Sequence, residues 1–276
     1  MAYMGYVGVV LIGETAVRAT SCDIRNTQAI NKPPCSDGTV DNPAYHLGPM
    51  EVGGSIAFPA TCAGSGNSAM QDLWDKGFKR SSGGVFLDKG FDIKIKYTDD
   101  TAFSYKTCFV DSFEISVVQG GTVDVKVSII GEEREEVGAG GNSPFSGNTR
   151  IITWNDVTVS AGDAESDIIR SFSLVLANNI KRHYSLDGTL VPVLINPTTR
   201  NITGKISVMG RSSEISDPAF TNAKDKCKAD QTISFTSTAF SQSFDTCIFE
   251  MEEIQITNDL FETTVNYHVL TGEKFA

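Results

Sequence analysis

Apolar and polar residues alternate over long stretches of this chain. In "TVDVKVSII" (122–130), Val123, Val125, Val127 and Ile129 alternate with Thr122, Asp124, Lys126 and Ser128. That period of two predicts a strand with one packed face and one wet face. "ETTVNYHVL" (262–270) sets Val265, Tyr267 and Val269 against Thr264, Asn266 and His268, and "SFSLVLA" (171–177) turns Phe172, Leu174 and Leu176 inward. Val52, Ile56 and Phe58 share one face, as do Ile202, Ile206 and Val208. Gly54 and Gly204 fall on those same faces, where a missing side chain predicts a bulge or a close backbone approach. The opening "MAYMGYVGVVLIG" reads as a first buried strand, since it lacks the basic start and small-residue cleavage site of a signal peptide.

A period near 3.6 is confined to two places. "SAMQDLWDKGF" (68–78) puts Met70, Leu73 and Trp74 on one face, with Ser68 as N-cap and Gly77 as a stop. "SDPAFTNAKDKCKAD" (216–230) is a poorer helix in the corresponding slot of the second half.

The order of elements repeats. "DGTVDNPAYHLGPMEVGGSIAF" starts at Asp37 and "DGTLVPVLINPTTRNITGKISV" at Asp187. Without gaps, residues 21–60 match 171–210 at Ser21, Ile30, Asp37, Gly38, Thr39, Gly54 and Ile56. A second echo pairs "KTCFVDSFEISVV" (106–118) with "DTCIFEMEEIQIT" (245–257), and each leads to another strand-like run near Gly-Glu. Two echoes in one order predict an internal duplication. The Gly- and Ser-rich "VGAGGNSPFSGNT" (137–149) reads as the linker between domains at 1–136 and 150–276. "EEREE" (132–136) reads as a solvated strand end. The expected fold class is mainly β: two tandem sandwich or barrel domains, each with one packed helix.

Composition narrows the function. The 276 residues carry 34 acids against 23 bases, for a net charge of −11. That surface repels nucleic-acid phosphates, so tight DNA binding is not expected, while passage of DNA remains allowed. No stretch is apolar for long enough to form a membrane helix. Cys22, Cys35, Cys62, Cys108, Cys227 and Cys247 form no CxxC pair and match no zinc spacing; buried thiols are favoured over bridges. His46, His183 and His268 lack ligand-like spacing, and neither a phosphate cradle nor a nucleophile elbow is present. The two Asp-Gly-Thr runs read as turns. No catalytic, metal or cofactor site is expected.

The stretch "RSFSLVLANNIKRHYSLDG…NPTTRNITGKISVMG" and the paired C-terminal strands of each half resemble the bacteriophage tail tube family, in particular members with two fused tube domains. The likeness runs through most of both halves in the order of elements. The first half departs from it in the Cys- and Pro-rich "NKPPCSDGTVDNPAYHLGP". The resemblance implies a structural virion protein of the tail, assembled in the bacterial host cytoplasm. Rings of six domains, each giving four strands, would close an inner barrel through which DNA passes without specific binding. With two domains per chain the ring would be a trimer of approximate six-fold symmetry. The polar strand phase would then face the lumen: Ser112, Glu114, Ser116, Asp124, Lys126 and Ser128, with Glu253, Gln255, Thr264, Asn266 and His268. Neighbouring acids are expected to offset Lys126. The long loops would stack rings through Lys32, Pro33, Pro34, Asp37, Tyr45 and His46, and through His183, Tyr184, Asp187 and Arg200. The implied partners are further copies of the chain and other tail proteins such as sheath, terminator or baseplate hub. Two alternatives stay open: a tube initiator or distal-tail hub of the same fold, and a secreted β-sandwich adhesin.

Overall fold

The alternating runs become long strands, and the longest joins the two halves of the chain. The computed structural model describes residues 9–13, 15–31, 46–62, 69–78, 90–96, 101–138, 150–161, 169–211, 227–251, 255–257 and 260–270. The first half contains β1 (Val9–Ile12), β2 (Thr15–Val17), β3 (Ser21–Cys22), β4 (Arg25–Asn31), β5 (His46–Pro59) and β6 (Thr61–Cys62). Helix α1 (Ala69–Phe78) follows, then β7 (Phe91–Lys96), β8 (Thr101–Val118), β9 (Asp124–Gly131) and β10 (Glu133–Gly138). The second half opens with β11 (Arg150–Ile151), a 3-10 turn at Trp154–Asp156, β12 (Val157–Ala161), β13 (Ile169–Ala177) and β14 (Ile180–His183). It continues with β15 (Leu194–Pro197), β16 (Asn201–Arg211), β17 (Cys227–Ser237), β18 (Ser241–Met251), β19 (Gln255–Thr257) and β20 (Leu260–Val269). The mainly β class expected from the periodicity is observed.

Pairing in the first half runs β4–β5–β9–β8, with β7 and then β1 continuing beyond β8. In the second half it runs β13–β16–β20–β18, with β17 and then β12 continuing beyond β18. β8 serves two pairs of ladders in succession. Its first part pairs with β7 and β10, and its second with β9 on one side and β13 on the other. The β8–β13 ladder is antiparallel, from Ser112↔Ala177 to Val118↔Ser171, so the halves share one continuous sheet.

That sheet folds back on itself. β13 and β17 are separated by three strands in the pairing order, yet the Phe172 and Phe235 rings stack at 5.1 Å. The enclosed core is a single cluster drawing on both halves, including Val10, Ile12, Ile56, Phe113, Leu174, Phe235 and Tyr267. Residues from β1 are in it, as the apolar opening run suggests. Helix α1 buries Met70, Leu73, Trp74 and Phe78. Trp74 stacks on Phe78 at 4.9 Å and meets Phe113 and, from the second half, Phe240, both at 5.4 Å. Edge-to-face contacts of this kind add about 1 kcal/mol each beyond area burial.

A buried polar group ties the helix end to the junction. Asn178, at 0% exposure, donates its Nδ2 to Gly77 O at 2.9 Å and to Val110 O at 2.8 Å. Its Oδ1 accepts from Arg200 Nε at 3.0 Å, and the Arg200 guanidinium also reaches Gly77 O and lies over the Phe78 ring. A cation at the carbonyl end of a helix opposes the negative end of its dipole.

One local expectation is revised. Cys227–Asp230, read as the end of a second helix, begin β17, because their backbone groups find partners along β18. The rest of 216–230 lies outside the described residues. "EEREE" is the solvated strand end expected: Glu133–Glu136 are exposed in β10, which also takes in Val137 and Gly138 from the stretch read as linker. Residues 139–149 lie outside the described residues.

Candidate assembly surfaces

The face of the sheet opposite the core is polar, and its rows cross both halves without interruption. One row reads Ala57, Lys126, Glu114, Val175, Thr203, His268, Ile248. The next reads Pro59, Asp124, Ser116, Ser173, Lys205, Asn266, Glu250. A third carries Ser55, Ser128, Ser112, Ala177 and Asn201, and Thr264 stands opposite Ser207 in a fourth. This continuity follows from the period of two: once β8 pairs with β13 in this register, every polar phase faces one way.

The sequence-predicted lumen residues are thus brought together where they are described. Ser112, Glu114, Ser116 and Ser128 are half-buried, whereas Asp124 and Lys126 are exposed. Glu114 lies directly opposite Lys126, as expected for a base among acids. Thr264 and Asn266 are half-buried and His268 is exposed. Gln255 pairs through its backbone with Glu262, and Glu253 lies outside the described residues.

The residues named for the long loops separate into different environments. Lys32, Pro33, Pro34, Asp37 and Tyr45 lie outside the described residues, and His46 opens β5. In the second half, β14 and β15 form a hairpin over one end of the sheet. There Ile180 and Ile195 cover Phe109 and Ile130. Tyr184 donates its hydroxyl to Met50 O at 3.0 Å, Met50 N–H donates to Leu190 O at 2.7 Å, and Arg182 donates to Val52 O. His183 is exposed at the end of β14. Asp187 is exposed and accepts from Thr189 N–H at 3.0 Å and its hydroxyl at 2.7 Å, a turn as read from Asp-Gly-Thr. Arg200, by contrast, turns inward onto α1. No sequence signal separated it from the loop residues, because the contact it makes is with a helix end over a hundred positions earlier.

Cys22, Cys108 and Cys247 are free thiols. Cys108 and Cys247 occupy matching positions: each is buried, and each directs Sγ toward the carbonyl three residues earlier, Tyr105 O at 3.4 Å and Phe244 O at 3.8 Å. Burial pushes the Cys108 thiol up to about 12 and the Cys247 thiol up to about 11. Among the described residues no group of His, Cys, Asp and Glu is arranged to hold a metal ion. No helix is long and apolar enough to cross a membrane, again among the described residues.

No curated protein matches the chain. A family model described as phage tail tube protein matches residues 7–267. With nearly its whole length covered by that model, the chain belongs to the phage tail tube protein family, a family of structural proteins of the virion tail.

Proposed function

We propose that this chain is the tube subunit itself, with two tube domains fused by duplication, and that three chains close a ring whose polar sheet face lines a conduit for DNA. The observation that carries this reading is the β8–β13 ladder. It joins one four-strand unit to the next through backbone hydrogen bonds, within one chain, and the two units have the same strand order. Among the described residues, β3 and β4 pair only with β5, and β19 pairs only with β20. The free sides of β4 and β19 therefore carry unpaired backbone groups among the described residues, and these invite another strand. Repeating the β8–β13 junction between chains removes both edges and closes the sheet cyclically. Alternate junctions would be intramolecular and form at high effective concentration.

The lumen assignment rests on the same register. In the first two rows Glu114, Asp124 and Glu250 face Lys126 and Lys205, a mixed surface with acids in excess. Such a wall offers phosphates few isolated cations to hold. Assembly would take place in the host cytoplasm, with other tail proteins meeting the two ends of the stack.

Cryo-microscopy of the purified protein tests the stoichiometry: three chains per ring are expected. Six chains per ring, or a monomer at every concentration, would overturn the fused-domain model. Exchanging Glu114 and Glu253 for Lys should leave tubes intact and impair genome release from particles; unimpaired release would remove these residues from the lumen.

A further inference from the structure

Among the described residues the exposed large hydrophobics are not scattered. Ile30, Leu47, Leu186, Leu190, Val193, Leu194 and Leu270 lie at the end of the sheet carrying the β14–β15 hairpin. Val118, Ile151 and Trp154 lie at the other end, beside the β8–β9 turn. The described strands have none midway. At roughly 3.3 Å per residue, the nine positions from Phe109 to Val118 set these ends about 30 Å apart.

The two ends have complementary shapes. Leu186 is fully exposed at the tip of the hairpin, with the ionised side chain of Asp187 next to it. The other end is concave. Val118, Trp154, Val157, Ile169, Arg170 and Phe172 line an open cleft of about 250 Å³. Val118 is 60% and Trp154 40% exposed at its rim, and Arg170 Nε, although buried, has no hydrogen-bond partner among the described residues. An apolar knob beside an acid thus lies at one end, and an apolar cleft with a cation in its lining at the other.

We propose that the cleft beneath Trp154 receives Leu186 from the hairpin of a second copy of this chain, with Asp187 of that copy paired to Arg170. A contact between different patches of identical molecules is heterologous. When its operator includes a translation along one axis it propagates without closing, which gives a stack rather than a dimer. The inference rests on the tube reading above and adds to it the receiving surface. It also assigns Trp154 to the interface between successive rings.

The test separates rings from tubes. Leu186→Glu, at a fully exposed position, should give folded rings that do not stack. Asp187→Lys and Arg170→Glu should each raise the protein concentration needed for tubes by about tenfold, and the double exchange should restore it. Trp154 emission should shift to the blue when rings become tubes, while Trp74, already buried, should not change. Tubes formed normally by Leu186→Glu, or a double exchange no better than either single one, would overturn the pairing while leaving the rings in place. Absence of rings in the unmodified protein would overturn the tube reading and this inference with it.

Discussion

In the second half of the chain, the Tyr267 ring from β20 lies across Gly204 and donates its hydroxyl to Ser173 O at 2.7 Å. In the first half, Tyr105 reaches Ile24 O at 3.0 Å from a different strand, β8, beside Gly54. The residue after each glycine then does the same thing. Ser55 N–H donates to the carboxylate of Asp23, and Lys205 N–H donates to the hydroxyl of Ser173 at 3.2 Å. Both halves thus interrupt the backbone hydrogen bonding at the same place, a side-chain oxygen replacing a carbonyl acceptor while a tyrosine takes up a nearby carbonyl; in the first half β3 and β4 part here, whereas in the second the β13–β16 register runs on. A tyrosine on different strands serving one local arrangement indicates that the backbone geometry is what the halves share. This shared interruption supports the duplication we propose, beyond the common strand order.

The comparison can be broken most directly at the glycines. A Cβ at Gly204 would stand 2.0 Å from Ser173 O and 2.3 Å from the Tyr267 ring. One at Gly54 would stand 2.6 Å from Asp23 O and Ile24 Cα. Backbone atoms cannot step aside as side-chain tips can, so Gly204→Ala should cost about 3 kcal/mol or more and Gly54→Ala about 2 kcal/mol. Urea unfolding at constant m-value checks both. The main core cluster draws on both halves, which predicts one transition in each variant. A neutral Gly204→Ala would show that the ring does not lie across the strand.

Next in size is the polar tie between the halves. Asn178→Ala removes both donors of the Nδ2 group and leaves Gly77 O, Val110 O and Arg200 Nε each short of a partner. A loss of about 2 kcal/mol is expected. Arg200→Ala should cost about 1 kcal/mol, through the helix end and the stacking on Phe78. The two changes act on one network, so their effects should not add. Strict additivity in a double-mutant cycle would separate Arg200 from Asn178.

Much of this was legible in the chain because strand periodicity writes a residue's face into its parity. Val123, Val125, Val127 and Ile129 could be assigned inward, and Asp124, Lys126 and Ser128 outward, from alternation alone. The echoes at 21–60 and 106–118 fall on strands that occupy matching places in the pairing order. The junction was not legible. Nothing in 112–118 or 171–177 specifies the other as its partner, since any amphipathic strand satisfies either edge. The helix was visible, but its Trp74 packing against Phe240 depends on how the sheet folds back, which is a long-range property. Arg200 shows the same limit at one residue: in sequence it is a loop cation, and its role depends on the position of a helix end.

The smallest expected effect concerns the acceptors at Asp23 and Ser173, which do one task with different chemistry. The N–H of Ser55 holds the Asp23 carboxyl below its ordinary value, with help from nearby Arg25, although partial desolvation works the other way. A carboxyl whose folded pKa is depressed contributes stability above its unfolded pKa, near 4, and loses it as pH falls through the lower folded value. Ser173 has no proton to gain in that range. Acid should therefore loosen the first-half interruption as pH falls below about 4 and leave the second-half one unchanged. Hydrogen exchange at the Ser55 and Lys205 amides reads the two sites separately: protection at Ser55 should fall with acid relative to that at Lys205, after correction for intrinsic rates. Asp23→Ser should make the first site resemble the second, costing less than about 1 kcal/mol at neutral pH because the position is exposed. It should also abolish the difference in acid response. Equal loss of protection at both amides would mean that the side-chain oxygens do not hold these N–H groups, and that the two interruptions owe their form to the glycines and tyrosines alone.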